Sequence, residues 1–125
     1  MPADALQAFA GRKYISLETR RKTGVAVATP VWFALQGRRF YVYSLADAGK
    51  VKRIRNCTRV RIAPCDIRGR LEGDWVEARA SIVHGEDEAL GHRLLDDKYG
   101  CMKKLGNLYR RFMKRERAII AIGPV

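Results

Sequence analysis

Short stretches in which apolar and polar residues alternate are the feature that most limits how this chain can fold. Between residues 13 and 20, Ile15, Leu17 and Thr19 fall on one face of an extended chain and their neighbours fall on the other. Similar stretches follow, separated by turns that contain glycine, such as the turn at Gly24, where a positive φ is expected. We therefore predict strands over residues 13–20, 25–35, 39–44, 59–67, 75–83 and 118–122.

Four other stretches have the spacing of helices. Residues 4–10 form a short helix with Asp4 as its N-cap, and residues 47–56 form a second one capped by Ser44 or Asp47. Residues 86–99 and 102–115 form a helical pair before the last strand. This order predicts a mainly β (α+β) fold, in which a small antiparallel barrel fits better than an open sheet, as one domain over residues 1–125.

The charge of the chain indicates a negatively charged partner. Lys and Arg number 25 against 13 Asp and Glu, so the formal net charge is +12. Nucleic acid, acidic lipid and a phosphorylated small molecule all fit such a charge. Three cysteines without a Cys-x-x-Cys pair, no signal peptide and no apolar run long enough for a membrane span predict a reduced, cytoplasmic protein.

The basic stretch of the second predicted helix, residues 50–56, is the first candidate site. Lys50 and Arg53 share one face at a spacing of three residues, and Gly49 leaves the backbone N–H groups of the helix start open to a ligand. Amides, Lys and Arg together form a good phosphate site. The alternative is a solvated basic surface, which Lys/Arg runs usually are.

A proline inside a strand marks the second candidate site. The segment Thr29, Pro30, Val31 and Trp32 interrupts the second strand, because proline cannot donate a hydrogen bond to a neighbouring strand. Proline in this position predicts an edge, a bulge or a break in pairing. Unpaired backbone groups there could bind a flat heterocycle, and the alternative is an ordinary edge strand with a core tryptophan.

The sequence assigns no catalytic side chain and no metal ligand. His84 and His92 are the only histidines, and neither stands at a ligand spacing from a cysteine or carboxylate. The cysteines lack a nearby histidine in sequence, so buried thiols are expected rather than nucleophiles. If the protein is an enzyme, a bound cofactor supplies the reactive atoms.

Four motifs in order resemble a known family. They are Thr-Pro-Val-Trp at residue 29, a strand that ends in Ser44, Gly-Lys-x-x-Arg at residue 49, and Arg-Ile-Ala-Pro-Cys-Asp at residue 61. Together they resemble the split-barrel flavin and deazaflavin reductases related to pyridoxamine 5'-phosphate oxidase. The resemblance covers roughly residues 12–83 and is greatest for the branch that depends on the deazaflavin coenzyme F-420.

The resemblance implies a six-stranded split barrel that forms a homodimer, with the cofactor in a groove at the dimer interface. Ala48 departs from the pattern, because relatives that bind FMN often have a hydroxyl residue there. The implied ring contacts are Thr29, Pro30, Val31 and Trp32, the implied phosphate contacts are Ser44, Gly49, Lys50 and Arg53 with Arg55 nearby, and Ala63 and Cys65 flank the pocket.

The leading functional hypothesis is an oxidoreductase that transfers a hydride between a deazaflavin and a small unsaturated organic substrate. The acidic tail of a deazaflavin suits the net charge of the chain. One alternative keeps the fold and uses FMN as an oxidase or reductase, and another is a haem or cofactor carrier without catalysis. A basic nucleic-acid-binding barrel is the alternative of another class, although Tyr41 and Tyr43 lack interleaved basic residues.

Overall fold

Antiparallel strands close into a six-stranded barrel, as the alternation predicts. The computed structural model describes residues 3–46, 48–100 and 117–125. The strand order around the barrel is β1-β2-β3-β6-β5-β4. The strands are β1 Tyr14–Arg20, β2 Ala26–Gln36, β3 Arg39–Leu45, β4 Arg59–Cys65, β5 Val76–Val83 and β6 Arg117–Gly123.

Strand β2 changes its partner halfway along its length. Its first part pairs with β1, from Ala26 opposite Arg20 to Trp32 opposite Tyr14. From Phe33 onward β2 pairs with β3 instead. The stretch around Pro30 is therefore an edge on the side away from β1, which confirms the edge predicted from the proline.

Side chains fill the inside of the barrel. Ile15, Leu17, Ile62 and Ile120 are buried there together with an aromatic group. In that group the ring of Phe9, which follows the first helix, packs edge-on against that of Phe40 at 5.0 Å. An eight-residue helix, α2 (Gly49–Asn56), packs Ile54 into the same core and also buries Val51. Because the lumen is packed, a ligand has to bind outside it or in the gap beside β2.

The helices agree with the predicted ones except at their starts and at the end of the first helix, which stops at Gln7 rather than at residue 10. They are α1 Ala3–Gln7, α2 Gly49–Asn56 and α3 Gly85–Tyr99. Helix α1 begins one residue before Asp4, so Asp4 is not its N-cap. The N-cap of α2 is Ala48, without a side-chain hydrogen bond, so the prediction of a Ser44 or Asp47 cap was wrong. The predicted helix over residues 102–115 lies outside the described residues.

The predicted fourth strand extends too far. It ends at Cys65 rather than at residue 67. Asp66 begins a turn instead, and its Oδ1 accepts hydrogen bonds of 2.9 Å from the backbone N–H groups of both Arg68 and Arg70. Gly69 completes the turn at φ 85°. Within the described ranges, no helix is both long and apolar enough to cross a membrane.

Candidate cofactor-binding site

Among the described residues, neither an acidic side chain nor a capping side chain lies at the start of α2. Val51 and Ile54 are three residues apart and both buried, which fixes the face that α2 turns to the barrel. The first turn contains no acidic residue, and no side chain caps the N-terminal amides. A helix start without a cap or a carboxylate keeps its positive dipole end and its N–H groups for another acceptor.

Arg53 is held over this helix start by a partner on β1. Its Nε donates a hydrogen bond of 2.6 Å to Oγ1 of Thr19, and Thr19 is buried. Its Nη1 lies so close to the first turn that a Cβ on Gly49 would stand 2.7 Å from it. Gly49 is therefore needed for the guanidinium to fold back over the helix start.

Lys50 places a second cation next to Arg53. Burial lowers the pKa of Lys50, and the charge of Arg53 lowers it further. No carboxylate in the described part of the chain forms an ion pair with either side chain. Two neighbouring cations held without a counter-ion raise the energy of the protein, and a bound anion would lower it.

One of the two cations, Arg53, is linked to β2 through Thr19. Oγ1 of Thr19, which holds Arg53, also donates to the backbone oxygen of Val27 at 3.5 Å. Thr29 and Val31 lie two and four residues further along β2, or about 7 and 13 Å in an extended strand. Arg53 of the basic helix is thus linked through Thr19 to Val27, two residues before the Thr-Pro-Val-Trp segment.

The four residues of that segment face different ways. Val31 is buried in the core and is paired with Ile15 of β1. Pro30 is exposed, and Thr29 and Trp32 are partly exposed. The turn after β4 approaches the same place, because a Cβ on Gly69 would lie 3.7 Å from Cδ of Pro30.

Trp32 stacks on a tyrosine that the sequence did not single out. The rings of Trp32 and Tyr99 are 4.7 Å apart and 7° from parallel. Burial raises the pKa of Tyr99, so its hydroxyl keeps its proton. The preceding residue, Lys98, donates to the backbone oxygens of Arg12 at 2.7 Å and Phe33 at 2.8 Å. The sequence placed Tyr99 only at the end of a predicted helix, without a signal for its partner.

The other predicted contacts lie on β3, α2 and β4. Ser44 is buried on β3, and its Oγ donates to the backbone oxygen of Leu45 at 3.2 Å. Arg55 is exposed on the last turn of α2. Ala63 and Cys65 are buried on β4, on the other side of β1 from β2. The predicted roles of these four residues stay predictions.

The predicted inertness of one thiol agrees with its surroundings. Burial, with smaller contributions from Asp66 and Glu72, raises the pKa of Cys65 to about 11. A thiol with such a pKa carries little thiolate at neutral pH and is a poor nucleophile. Within the ranges that the structure covers, no group of three or more His, Cys, Asp or Glu could hold a metal ion.

A basic cavity lies at the other end of α2. It has a volume of about 480 Å³ and opens to solvent. Its lining is the turn between β1 and β2 together with the end of α2. The lining residues are Arg20, Arg21, Lys22, Gly24, Asn56 and Cys57.

A packed six-stranded barrel whose second strand changes partner halfway is a split barrel, the fold that the motif resemblance implied. Three solved structures share it. An F420 reductase is 20% identical and matches 100% of this chain and 96% of its own at a TM-score of 0.64. An FAD-binding protein of Mesorhizobium loti is 17% identical, over 100% and 91%, at 0.64. HutZ, the haem storage protein of Vibrio cholerae, is 13% identical, over 98% and 88%, at 0.67.

Sequence identities this low show only that the fold is shared, and proteins with this fold differ in the ligands that they bind. No protein-family model matches the chain. No curated protein matches it either. The function therefore has to be argued from the site itself.

Proposed function

We propose that the protein is an oxidoreductase that binds a flavin-type cofactor at the edge of β2. The observation that carries the proposal is the pair Lys50 and Arg53 at an uncapped helix start, without a carboxylate partner among the described residues. A phosphate fits this arrangement, because it accepts hydrogen bonds from helix amides, an ammonium and a guanidinium at once. Because Gly49 has no side chain, the backbone at the helix start can come close to the phosphate.

The cofactor ring would lie along β2. The Thr19 side chain joins Arg53 to the backbone of Val27, and a sugar-alcohol chain of five carbons could reach from there toward Thr29, two residues further along β2. In an antiparallel pair every second residue of an edge strand turns its backbone groups away from its partner. Those N–H and C=O groups of β2 are suited to the polar edge of a flat heterocycle.

The reactive atoms would come from the cofactor, and the residues of the chain would position the cofactor and the substrate. A reduced deazaflavin, when bound, supplies a hydride to an unsaturated or conjugated organic substrate. The described residues bind the phosphate, orient the ring against β2 and offer backbone donors to the acceptor, all of which lower the barrier by positioning and electrostatics. No side-chain acid is assigned to the reaction.

The basic cavity favours a deazaflavin over FMN. Arg20, Arg21 and Lys22 line it at the end of α2 opposite the phosphate site. A deazaflavin has an acidic tail beyond its phosphate, whereas FMN ends at the phosphate. Replacing Arg21 and Lys22 together by alanine is expected to weaken deazaflavin binding and leave FMN binding unchanged. Equal effects on the two cofactors would remove this preference.

We further propose that a second copy of the chain completes the groove. Pro30 on the β2 edge is exposed, and the nearby turn exposes Ile67 at 67% and Leu71 at 43% of their surfaces. Exposed apolar residues beside an open strand edge are typical of a covered surface. The free thiols Cys57 and Cys65 support a reducing compartment such as the cytoplasm. Sedimentation of the purified protein tests this, and a monomer at micromolar concentration would contradict it.

Fluorescence titration with the deazaflavin and, separately, with FMN tests the proposed function. The double variant Lys50→Ala/Arg53→Ala removes the phosphate contacts. Lys52→Ala/Arg38→Ala is the matched control, because it removes the same charge from exposed positions. We expect binding to collapse only in the first variant. Tight FMN binding with weak deazaflavin binding would change the cofactor, and binding of haem alone would indicate a carrier instead of an enzyme.

A further inference from the structure

The place where β2 leaves β1 is closed by a side chain instead of a strand. The last pair between the two strands is Tyr14 with Trp32, so the next pair in register would be Lys13 with Phe33. The Tyr99 hydroxyl lies at that point. It accepts from the backbone N–H of Phe33 at 3.1 Å, and it donates to the backbone oxygens of Lys13 at 2.6 Å and Phe33 at 2.9 Å.

These bonds fix the ring of Tyr99. A hydroxyl has one proton and two lone pairs. Its proton is shared between the oxygens of Lys13 and Phe33, and one lone pair accepts the N–H of Phe33. Tyr99 is only 2% exposed, and the neighbouring Lys98 is bound to the same strands through Arg12 and Phe33. The end of α3 therefore cannot rotate without breaking bonds to both β1 and β2.

The fixed tyrosine ring sets the plane of Trp32. The two rings lie 7° from parallel with centroids 4.7 Å apart, an aromatic stack with one defined orientation. Trp32 keeps part of its surface exposed and lies on the same edge as Thr29 and Pro30. An indole whose plane is set in advance loses little conformational entropy when a flat ligand packs against it.

We propose that Tyr99 is a positioning residue for the cofactor ring, acting through Trp32. The inference rests on the proposed function, because it needs a flat cofactor on the β2 edge. Tyr99 itself contacts neither the ring nor the substrate. It holds Trp32 at the angle at which the indole packs on the heterocycle. The hydrogen bonds that fix Tyr99 for this purpose lie where β2 separates from β1.

Two variants separate the ring of Tyr99 from its hydroxyl. Tyr99→Phe and Tyr99→Met both lose the three backbone bonds, and only the methionine also loses the aromatic plane. The test uses a Trp75→Phe background, in which Trp32 is the single tryptophan, since the chain has two. We expect Tyr99→Met to lose the near-ultraviolet circular dichroism of Trp32 and to bind FMN roughly ten-fold more weakly, the order of one aromatic stack. Tyr99→Phe should retain more of both.

A double-variant cycle shows whether Tyr99 acts through Trp32. In a Trp32→Leu background, Tyr99→Met should have no further effect on FMN affinity, whereas independent contributions would add. Additive losses, or an FMN affinity that Tyr99→Met leaves unchanged, would overturn the proposal. If Tyr99→Met does not fold, a Trp32→Leu variant with unchanged FMN affinity overturns it equally.

A failure of the proposed function can be distinguished from a failure of the inference about Tyr99. If the unsubstituted protein binds neither FMN nor the deazaflavin, the role toward a cofactor is overturned together with the proposed function. The dichroism of Trp32 in the Tyr99 variants would still report whether the stack sets the tryptophan. A protein that binds FMN while the Tyr99 variants leave its affinity unchanged retains the proposed function and loses only this inference.

Discussion

Replacing Lys50 by methionine should weaken cofactor binding and at the same time stabilise the protein. Methionine keeps the length of the apolar stem and removes the ammonium. In the folded chain that ammonium is opposed by burial and by Arg53, both of which lower its pKa, and the described residues give it no carboxylate. A residue whose charge costs stability is typical of a binding site rather than of a structural ion pair.

The expected magnitudes follow from the type of contact. A hydrogen bond from a charged donor contributes about 1.5–3 kcal/mol, so losing the Lys50 contact to a phosphate should weaken FMN binding by about 10- to 150-fold. Relief of the unfavourable charge should raise the free energy of unfolding by about 0.5–1 kcal/mol, within the range of surface-charge changes.

The assay combines urea denaturation without ligand and an FMN titration on the same preparations. Lys52→Met is the matched control, because Lys52 is exposed on the same helix. The control should change neither quantity appreciably. A Lys50→Met variant that loses more than about 1 kcal/mol of stability, against the usual scale of surface substitutions, would make Lys50 structural. An FMN affinity equal to that of the Lys52→Met control would also contradict a role for Lys50 in cofactor binding.

Three further outcomes are expected. Thr19→Val removes the acceptor that orients Arg53, so FMN affinity should fall about two- to ten-fold, because the free arginine side chain must then be ordered on binding. A titration that shows no change would mean that Arg53 does not need Thr19 to hold it in place. Cofactor affinity should fall as pH rises, beginning below pH 10.5, because Lys50 loses its proton earlier than an ordinary lysine; a flat profile up to that pH would exclude Lys50 from the site. The hydrogen bond from Arg61 lowers the pKa of Glu18, so its stabilisation is present above the ordinary carboxyl pKa near 4.5 and is lost as pH falls through the lower folded value. Glu18→Gln should therefore unfold more readily than the parent at pH 7 and lose less stability on acidification, and parallel acid-unfolding curves would contradict the assignment.

The strands could be predicted because their signal is local. Alternation fixes which side chains can face a core, and a proline excludes pairing on one side of a strand, so the barrel and the open edge around Pro30 follow from short stretches of sequence. The cap of α2 could not be predicted in this way. Ser44 and Asp47 are good capping residues, yet the helix starts after Ala48.

The contacts that build the candidate site join distant parts of the chain. Arg53 meets Thr19 across 34 positions, and Tyr99 meets Phe33 across 66. Both bonds depend on how a helix is placed on the barrel, which periodicity does not determine. The sequence identified Lys50 and Arg53 from their spacing, and only the fold shows what holds Arg53 and what orients Trp32.

A comparison of FMN with riboflavin would test the account most directly, because the two ligands differ only in the phosphate. With Lys50, Arg53 and the start of α2 as the phosphate site, FMN should bind at least about ten-fold more tightly than riboflavin. The difference should narrow with added salt and shrink in Lys50→Ala/Arg53→Ala to the part that the helix amides supply. Equal affinities for the two ligands, or a difference that the double substitution leaves undiminished, would contradict this phosphate site.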